Sequence, residues 1–313
     1  MSALRMYVVV EIVPFADNHV DDAGRLLAER HRAHLAVEHL LPRRTDFTEQ
    51  IKQEREDATG VVAVEGREVV GYLLGKRRED FLGPHVWSYV SGHAVREPEL
   101  VRDLYAAAAR RWVEDGLTRH FVFVPAIRDL VEPWLRVTFG ISGALAARGT
   151  VPEKVASEFS VRLGTAEDVP VAAALDRTLA EHLRESPSFS FFTVPSEQEY
   201  LDEWHDVHAD PDYTHFVAER GGDAAGHLLL YRRPEGDLRV PSRSIDLFVA
   251  ATDPSRRGGG AGVALTNFAL HWAHEQGYTA MTTDWRMSNL AASRFWPRRG
   301  FRETHLRLYR SLP

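Results

Sequence analysis

The sequence contains no cysteine and no long apolar run, and each absence excludes a class of protein. None of the 313 residues is a cysteine, which removes disulfides, thiolate zinc sites and cysteine nucleophiles together. No apolar segment has the length of a membrane-spanning helix. The first residues, Met1–Arg5, also lack the charged-then-apolar order of a secretion signal. We therefore expect a cytoplasmic protein that does not associate with a membrane.

Positive charge is also in short supply. The chain carries 38 Lys and Arg against 45 Asp and Glu, for a formal net charge of −7. Nucleic-acid-binding proteins more often have a basic excess, so we expect no nucleic-acid partner. What remains is an ordinary globular composition with 44% hydrophobic residues, at a length suited to two domains.

The two halves of the chain repeat a series of features in the same order. Gly71 corresponds to Gly226, and both glycines precede a pair of arginines at the same distance. Trp134 corresponds in the same way to Trp296. The offset between matching residues grows along the chain without reversing, as small loop insertions would make it do. This order predicts a duplicated domain.

Each half has the same order of predicted elements. A strand and one or two helices are followed by a β-hairpin, a long apolar strand (Val86–Val95 or Ser244–Thr252), and then helix, strand, helix and strand. Strands mixed with helices in this way indicate an α/β fold with a mixed, mostly antiparallel sheet and helices on both faces. The pattern is interrupted at Gly149–Pro152, so the predicted tandem domains are residues 1–152 and 153–313.

The sharpest local feature is a glycine-rich turn, Asp253–Gly262, between the strand that ends at Thr252 and a helix predicted from about Ala261. Glycines allow several backbone N–H groups to point at one anion, and the start of a helix adds partial positive charge. The turn lacks the Gly-Lys-Ser/Thr of a P-loop and the glycine spacing of a dinucleotide fingerprint. It therefore predicts a pyrophosphate site of another kind.

This part of the chain resembles the GNAT superfamily of acyl-CoA-dependent N-acyltransferases. The pyrophosphate loop of that family reads Arg/Gln-x-x-Gly-x-Gly/Ala, and Arg257, Gly260 and Gly262 match it. Three flanking features of the family also occur in order, namely Pro254, Asn289-x-x-Ala292-x-x-Phe295 and Gly300-Phe301. The resemblance implies two tandem GNAT-type domains, each with a splayed central strand pair. It also implies acetyl-CoA, or another short acyl-CoA, as the cofactor of the C-terminal domain.

By this resemblance, the loop backbone holds the CoA pyrophosphate, and the pantetheine arm inserts between the two splayed strands. A backbone N–H on the first of these strands would polarise the thioester carbonyl. The strand residues expected to contact the cofactor are Ala250, Ala251 and Thr252. The loop residues are Arg256, Arg257, Gly258, Gly259, Gly260, Ala261 and Gly262, and the residues near the following helix are Asn289, Phe295 and Trp296.

Asp246 is the candidate general base. It lies in the apolar strand, six residues before Thr252, where many members of the family have a glutamate. Desolvation in such a strand raises the pKa of a carboxylic acid, which is the direction that a base near neutral pH requires. The alternative interpretation is an outward-facing Asp that is solvated or ion-paired.

Two residues of the predicted cofactor set leave alternatives open. Many members of the family have a Tyr where this chain has Trp296, and an indole N–H does not protonate a thiolate. Trp296 therefore packs either in the core or against the cofactor, and Tyr278, Ser293 or a water remains as the acid, unless the thiolate leaves unaided. Asn289 either bonds near the pantetheine or caps the following helix.

The acceptor side is predicted from the segment Ser186–Pro195, because in this family the corresponding segment shapes the acceptor pocket. Arg286 follows the splayed strand, and it either grips an acidic group of the acceptor or pairs with Asp284. The pair His205 and His208 lacks a carboxylate at metal-ligand spacing, so we expect no metal. The segment contains three phenylalanines, Phe189, Phe191 and Phe192. They either cover an apolar acceptor pocket or fill an interface between the domains.

The N-terminal half lacks the phosphate loop. The matching segment, His93–Arg102, has no glycine run; Pro98 has no N–H, and Glu97 and Glu99 would repel phosphate. This half is similar to the degenerate halves of tandem family members such as mycothiol synthase. We therefore expect one cofactor site in the chain.

The leading functional hypothesis is an N-acetyltransferase that transfers an acyl group from acetyl-CoA to a small-molecule amine by direct attack in a ternary complex. One alternative is a non-catalytic acyl-CoA or metabolite-binding protein, which the missing Tyr favours. Another is a protein or peptide N-acetyltransferase, with which the acidic net charge is compatible. The sequence indicates neither the acceptor nor the oligomeric state.

Overall fold

A computed structural model of the chain describes residues 10–80, 83–153, 156–189 and 193–313. The chain forms two compact units. Unit 1 comprises residues 1–142 and 305–313, and unit 2 comprises residues 143–304. Among the described residues, no helix combines the length and the apolar character needed to cross a membrane.

The helices of unit 1 cover a sheet that is antiparallel except at one strand pair. The sheet order is β1-β2-β3-β4-β6-β13, and the short strand β5 pairs separately with β3. Among the described strand pairs of this unit, β4 and β6 are the pair that runs parallel. The strands are β1 (Val10–Pro14), β2 (Ala58–Glu65), β3 (Glu68–Asp80), β4 (Gly83–Ser88), β5 (His93–Val95), β6 (Arg119–Pro125) and, from residue 305 on, β13 (Arg302–Ser311). The helices are α1 (Val20–Val37), α2 (Phe47–Arg55), α3 (Leu100–Glu114) and α4 (Arg128–Arg136).

Unit 2 repeats this arrangement. Its sheet order is β7-β12-β11-β10-β9-β8, and β11 and β12 form the parallel pair among the strands that the structure describes. The strands are β7 (Gly140–Gly149), β8 (Ser160–Leu163), β9 (Tyr213–Arg220), β10 (Asp223–Tyr231), β11 (Ser244–Thr252) and β12 (Ala280–Arg286). The helices are α5 (Val169–Arg184), α6 (Glu197–Ala209), α7 (Ala261–Glu275) and α8 (Leu290–Arg298).

The compact units are divided elsewhere than at the boundary predicted between residues 152 and 153. Residues 143–149 of β7 pair antiparallel with β12 and so belong to unit 2. Residues 305–311 of β13 pair antiparallel with β6 and so belong to unit 1. A simple division of the chain into halves would place β7 in the first unit and β13 in the second. Instead, most of β7 completes the sheet of unit 2, and most of β13 completes the sheet of unit 1.

The matched glycines of the two halves occupy equivalent positions. Gly71 faces Val95 in the register of β3 and β5, and Gly226 faces Thr252 in the register of β10 and β11. A Cβ added at Gly226 would lie 2.8 Å from the carbonyl oxygen of Ala251, so no larger residue fits there without a shift of the backbone. The fold predicted from the sequence, a mixed sheet with helices repeated in two tandem domains, is confirmed.

One predicted strand is interrupted. The segment predicted as a single strand, Val86–Val95, consists of β4, a 3-10 turn at Val90–Gly92, and β5. The buried guanidinium group of Arg30 stabilises the break, because it donates hydrogen bonds to the carbonyl oxygens of Val90, in the 3-10 turn, and His93, at the start of β5. These bonds satisfy buried carbonyl groups at a place where the strand is interrupted.

The sheet of unit 2 presents two faces with different neighbours. One face packs on α5 and α6, where Val169 and Trp204 form a buried cluster with Leu229 of β10. The other packs on α7, since Phe216 of β9 contacts the ring of Trp272. Because side chains alternate along a strand, Tyr213, Tyr231 and Asp246 lie on the α5–α6 face.

Candidate active site

The parallel strands β11 and β12 part in the middle of the sheet of unit 2. Their pairing runs only from Ser244 with Ala280 to Leu247 with Thr283, although β11 continues to Thr252 and β12 to Arg286. The Thr283 hydroxyl donates a 3.0 Å hydrogen bond to the carbonyl oxygen of Leu247 at the last pair. Beyond it, backbone groups on the inner edge of β11 have no strand partner, which confirms the predicted splayed pair.

A β-bulge lies at the point where the strands part. In the register of β10 and β11, Leu230 faces Leu247 and Leu229 faces Val249, so Phe248 is an extra residue on β11. A bulge bends its strand and redirects a side chain. The Phe248 side chain is 50% exposed, which is unusual for a large apolar residue near the centre of a sheet.

The glycine-rich turn leaves backbone N–H groups open at the start of α7. Gly258 and Gly260 have φ values of 82° and 99°, which favour glycine, and a Cβ built on either would meet no atom within 4 Å. The first helical hydrogen bond runs from Ala264 N to the carbonyl of Gly260 over 3.0 Å. The N–H groups of the first turn before Ala264 therefore have no acceptor within the helix.

Three elements meet beside this turn. A Cβ at Gly262 would lie 3.4 Å from the Phe295 ring of α8 and 3.8 Å from the Thr252 side chain at the end of β11. Gly259 lies over the ring of Phe159, 3.5 Å from the position of its added Cβ. The open N–H groups therefore lie next to the end of β11, close to the gap between β11 and β12.

The two arginines of the turn differ in their surroundings. Arg256 pairs with Asp223 of the β9–β10 turn at 3.1 Å, whereas Arg257 is exposed. Asp253 accepts hydrogen bonds from the backbone N–H and the hydroxyl of Ser255, at 2.8 and 2.7 Å, and so shapes the start of the turn. Of the two arginines, Arg257 is the one that is available to an anion.

Asn289 and Trp296 have local structural roles that were among the alternatives left open by the sequence. Asn289 caps α8, because its side-chain oxygen accepts a 3.3 Å hydrogen bond from Ala292 N. Trp296 is only 8% exposed and packs edge-to-face against Phe301 and Phe295. Trp296 is thus part of the core, and a direct cofactor contact by either residue stays a prediction.

Neither side chain named from the sequence as a source of the leaving-group proton is well placed for it. Tyr278 precedes β12 and stacks on Trp272, at the closed end of the strand pair. It lies five residues, or about 16 Å of extended chain, before Thr283, where the gap opens. Ser293 of α8 donates its hydroxyl to the carbonyl of Met287 at 3.1 Å.

Asp246 is buried next to the point where β11 and β12 part, and it has two partners. Its side chain accepts a hydrogen bond of 2.6 Å from the Thr282 hydroxyl and one of 2.7 Å from the Arg233 guanidinium. The residue is 3% exposed, and burial raises its pKa against the opposing effects of Arg233 and Thr282. Asp246 thus shares features of both sequence-based interpretations, because it is ion-paired and yet harder to ionise than a surface carboxylate.

The predicted acceptor residues are only partly described. Phe191 and Phe192 lie outside the described residues. Phe189 is 65% exposed. Arg286 is half-buried at the end of β12, three residues beyond Thr283.

Sequence reasoning missed a group of aromatic side chains beside Asp246. Tyr213 and Tyr231 stack with ring centroids 4.7 Å apart, and Phe248 meets both rings at 6.1 Å. Tyr231 faces Asp246 in the register of β10 and β11. Tyr213 and Tyr231 face each other where β9 begins and β10 ends, and this pairing depends on a strand register that the sequence alone did not give.

The corresponding gap in unit 1 is filled by side chains. Beyond the last pair of β4 and β6, His93 donates a 2.8 Å hydrogen bond from Nε2 to the carbonyl oxygen of Phe123, and Arg30 bonds to the opposite side of His93. The cavity between Arg30, His93 and Trp134 holds about 10 Å³, the space of a single water. Glu97 and Pro98 stand at the start of α3, where unit 2 has its glycines.

The comparisons with known proteins agree with this geometry. Residues 178–301 match the profile of the acetyltransferase (GNAT) family. The matched segment, which is less than half of the chain, is similar to the GNAT family. The match indicates an acetyl-CoA-dependent acetyltransferase, and members of the family take an acyl-CoA as donor.

Solved structures similar to the chain include other proteins of this fold. A GCN5-related N-acetyltransferase from Sphaerobacter thermophilus is 14% identical with a TM-score of 0.59, covering 96% of this chain and 95% of that one. A GCN5-related glucosamine N-acetyltransferase region of a fungal multi-domain GH3 β-N-acetylglucosaminidase is 14% identical with a TM-score of 0.56, covering 96% of this chain and 38% of that one. At such low identity these similarities show the fold alone. No curated protein sequence matches the chain.

Proposed function

We propose that unit 2 transfers an acetyl group from acetyl-CoA to the amine of a small molecule, by direct attack in a ternary complex. The observation that carries the proposal is the closeness of the open N–H groups in the first turn of α7, before Ala264, to the end of β11, along which the gap that begins after Leu247 and Thr283 runs. A pyrophosphate at the turn and a thin pantetheine arm in the gap fit these two features. Acetyl-CoA supplies an acyl thioester, and the chain supplies the groups that bind and orient it.

The backbone does most of the binding in this proposal. The unpaired N–H groups before Ala264 face an anion at the start of α7, where the helix dipole favours negative charge. Backbone N–H groups of β11 beyond Leu247 have lost their strand partner and are free to polarise a carbonyl oxygen. Because these groups are held by the sheet, they need little reorganisation when charge develops.

Asp246 is the group proposed to receive the proton of the amine. Its raised pKa makes it a stronger base than a surface aspartate, and its position one pair before the last pair of β11 and β12 puts it near the start of the gap and so near the proposed reacting carbonyl. Arg233 keeps the buried carboxylate ionised near neutral pH, since an opposite charge favours the charged form. The amine, once deprotonated, attacks a thioester held close to it, and this proximity supplies much of the rate.

The experiment that tests the proposal measures thiol release from acetyl-CoA with a panel of small primary amines, alongside calorimetric titration with acetyl-CoA. Binding together with amine-dependent thiol release is the expected result. The absence of acetyl-CoA binding would remove the proposal entirely.

A second candidate function is acyl-CoA binding without catalysis. It is favoured by Trp296, which fills the core at the position where many family members have a Tyr, and by the absence of a well-placed acid among Tyr278 and Ser293. The same experiment separates the two, because a binding protein would bind acetyl-CoA but release no thiol with any amine.

A further inference from the structure

Three aromatic rings from three adjacent strands form one surface on the α5–α6 face of unit 2. The rings of Tyr213 and Tyr231 stack with an interplanar angle of 27°, and Phe248 stands at 77° and 65° to them. Both tyrosines are half-buried and Phe248 is half exposed. We call these residues the ring cluster.

The ring cluster borders the buried core on the same face, and Tyr213 packs against that core. The core there consists of Val169, Ala172, Ala173, Trp204 and Leu229. Phe248 occupies the bulge of β11, where the extra residue is released from regular pairing with β10. An aromatic side chain that the bulge turns towards solvent contributes less to folding than a buried one, which leaves its exposed ring available to a ligand.

Carboxylates lie beside the rings. Asp246 faces Tyr231 across the strands, and exposed Asp284 of β12 lies close enough to raise the pKa of Asp246 further. On the other side, Glu203 of α6 contributes to raising the pKa of Tyr213, after burial and the neighbouring phenol. Arg233 balances one of these negative charges, so the surroundings of the rings favour a cation.

Strands β9 to β12 contain no Asn or Gln. A ligand rich in hydroxyl groups would find no neutral amide side chain on these strands to recognise it. A flat apolar group can instead pack against the three rings of the cluster. Aromatic rings prefer to pack in offset or edge-to-face arrangements.

We propose that Tyr213, Tyr231 and Phe248 form the acceptor subsite of unit 2, and that it takes a primary amine joined by a short linker to an aromatic ring. The inference rests on the proposed function, since it names the class of acceptor. The aromatic end of the ligand packs on the ring cluster, and its ammonium group lies towards Asp246. Residues two apart on a strand are separated by about 7 Å, so the spacing from Phe248 to Asp246 matches a linker of about two carbons.

The test uses 2-phenylethylamine, glucosamine and 1,4-diaminobutane as probes with the full chain. Phe248→Ala is expected to weaken binding of 2-phenylethylamine at least about tenfold, whereas Phe248→Tyr retains a ring and most of the affinity. Leu163→Ala is the matched control, because Leu163 is 53% exposed on β8 of the same unit. Acetyl-CoA affinity is measured for each variant and is expected to stay unchanged, which shows that the variants fold.

Amine binding is measured by calorimetry in the presence of CoA, and turnover by thiol release. Preference for 2-phenylethylamine together with its loss in Phe248→Ala supports the subsite. A preference for glucosamine or 1,4-diaminobutane, or equal binding of 2-phenylethylamine to the wild type and Phe248→Ala, overturns it. If 2-phenylethylamine binds through Phe248 but no amine gives thiol release, the subsite stands and the proposed function fails. If 2-phenylethylamine gives thiol release that is equal in the wild type and Phe248→Ala, the proposed function stands and the subsite fails.

Discussion

His93 and Phe123 are joined across the gap in the sheet of unit 1 by a 2.8 Å hydrogen bond from the imidazole Nε2 to the Phe123 carbonyl oxygen. In unit 2 the pairing of the equivalent strands, β11 and β12, ends at Leu247 and Thr283. His93 is neutral in this position, because burial and the nearby Arg30 lower its pKa to about 3. A neutral imidazole donates one hydrogen bond to Phe123 and accepts from Arg30 at its other nitrogen.

This bridge predicts one acetyl-CoA per chain. The gap of unit 1 is occupied by Arg30 and His93, and its helix α3 begins beside Glu97 and Pro98 rather than glycines. Calorimetric titration is expected to saturate at one equivalent. The double variant Arg30→Ala and His93→Ala should not add a second site, because it leaves the start of α3 unchanged. A titration that reaches two equivalents would show that unit 1 also binds the cofactor.

The glycine turn predicts a strong loss of CoA affinity in Gly260→Val. The added side chain would enter the open space at the start of α7 and strain a backbone with φ of 99°. Gly277→Val is the matched control, since Gly277 at the far end of the same helix has φ of 81° and equally open surroundings. We expect similar unfolding temperatures for the two variants but calorimetric binding only in Gly277→Val. Equal affinity in both would mean that the turn does not hold the phosphates.

Asp246→Asn is predicted to lower kcat about a hundredfold or more at neutral pH, a typical size for the loss of a general base. CoA affinity should change little, because the proton is transferred after binding. In the wild type, activity should fall on the acid side as Asp246 becomes protonated, and the raised pKa places this limb above that of an ordinary aspartate. Glu275→Gln, which removes an exposed carboxylate at the end of α7, serves as the control. Turnover that Asp246→Asn retains across the whole pH range would assign Asp246 a structural role.

The buried imidazole of His215 leads us to predict that the folded protein loses stability in acid. Burial, with His227 as the next cause, lowers the pKa of His215 to about 3. The folded state therefore holds the imidazole neutral, whereas the unfolded chain protonates it near the ordinary value of about 6.5. The stability that this group contributes is present above about pH 6.5 and declines as the pH falls towards 3, by at most about 1.4 kcal/mol per pH unit.

The measurement is urea unfolding of the wild type and His215→Gln at pH 7.5 and pH 5. The variant should start less stable, since Trp204 packs on the imidazole ring, but should lose less on acidification. His93 in unit 1 also has a lowered pKa and contributes to the slope that remains in the variant. An unchanged pH dependence in His215→Gln would show that the pKa of His215 is the same in the folded and the unfolded state.

Much of the site could be predicted because its determinants are local in sequence. The strand Ser244–Thr252 and the helix start at Ala261 lie where the sequence indicated them. Glycine tolerance of positive φ and unpaired N–H groups at a helix start follow from a few consecutive residues. The duplication could also be predicted from the sequence, because Gly71 and Gly226 lie at equivalent positions of the two units, where neighbouring strands approach closely.

The sequence by itself determined the order of elements, the glycine-rich turn before α7 and the difference between its two halves at the matching turn. Only the tertiary structure decided which strand completes each unit, that Arg30 interrupts the strand between Ser88 and His93, and that Phe248 joins Tyr213 and Tyr231 beside Asp246. The physical reason is that strand pairing, register and bulges depend on hydrogen bonds between residues far apart in the chain, whereas helix starts and glycine turns depend on neighbours.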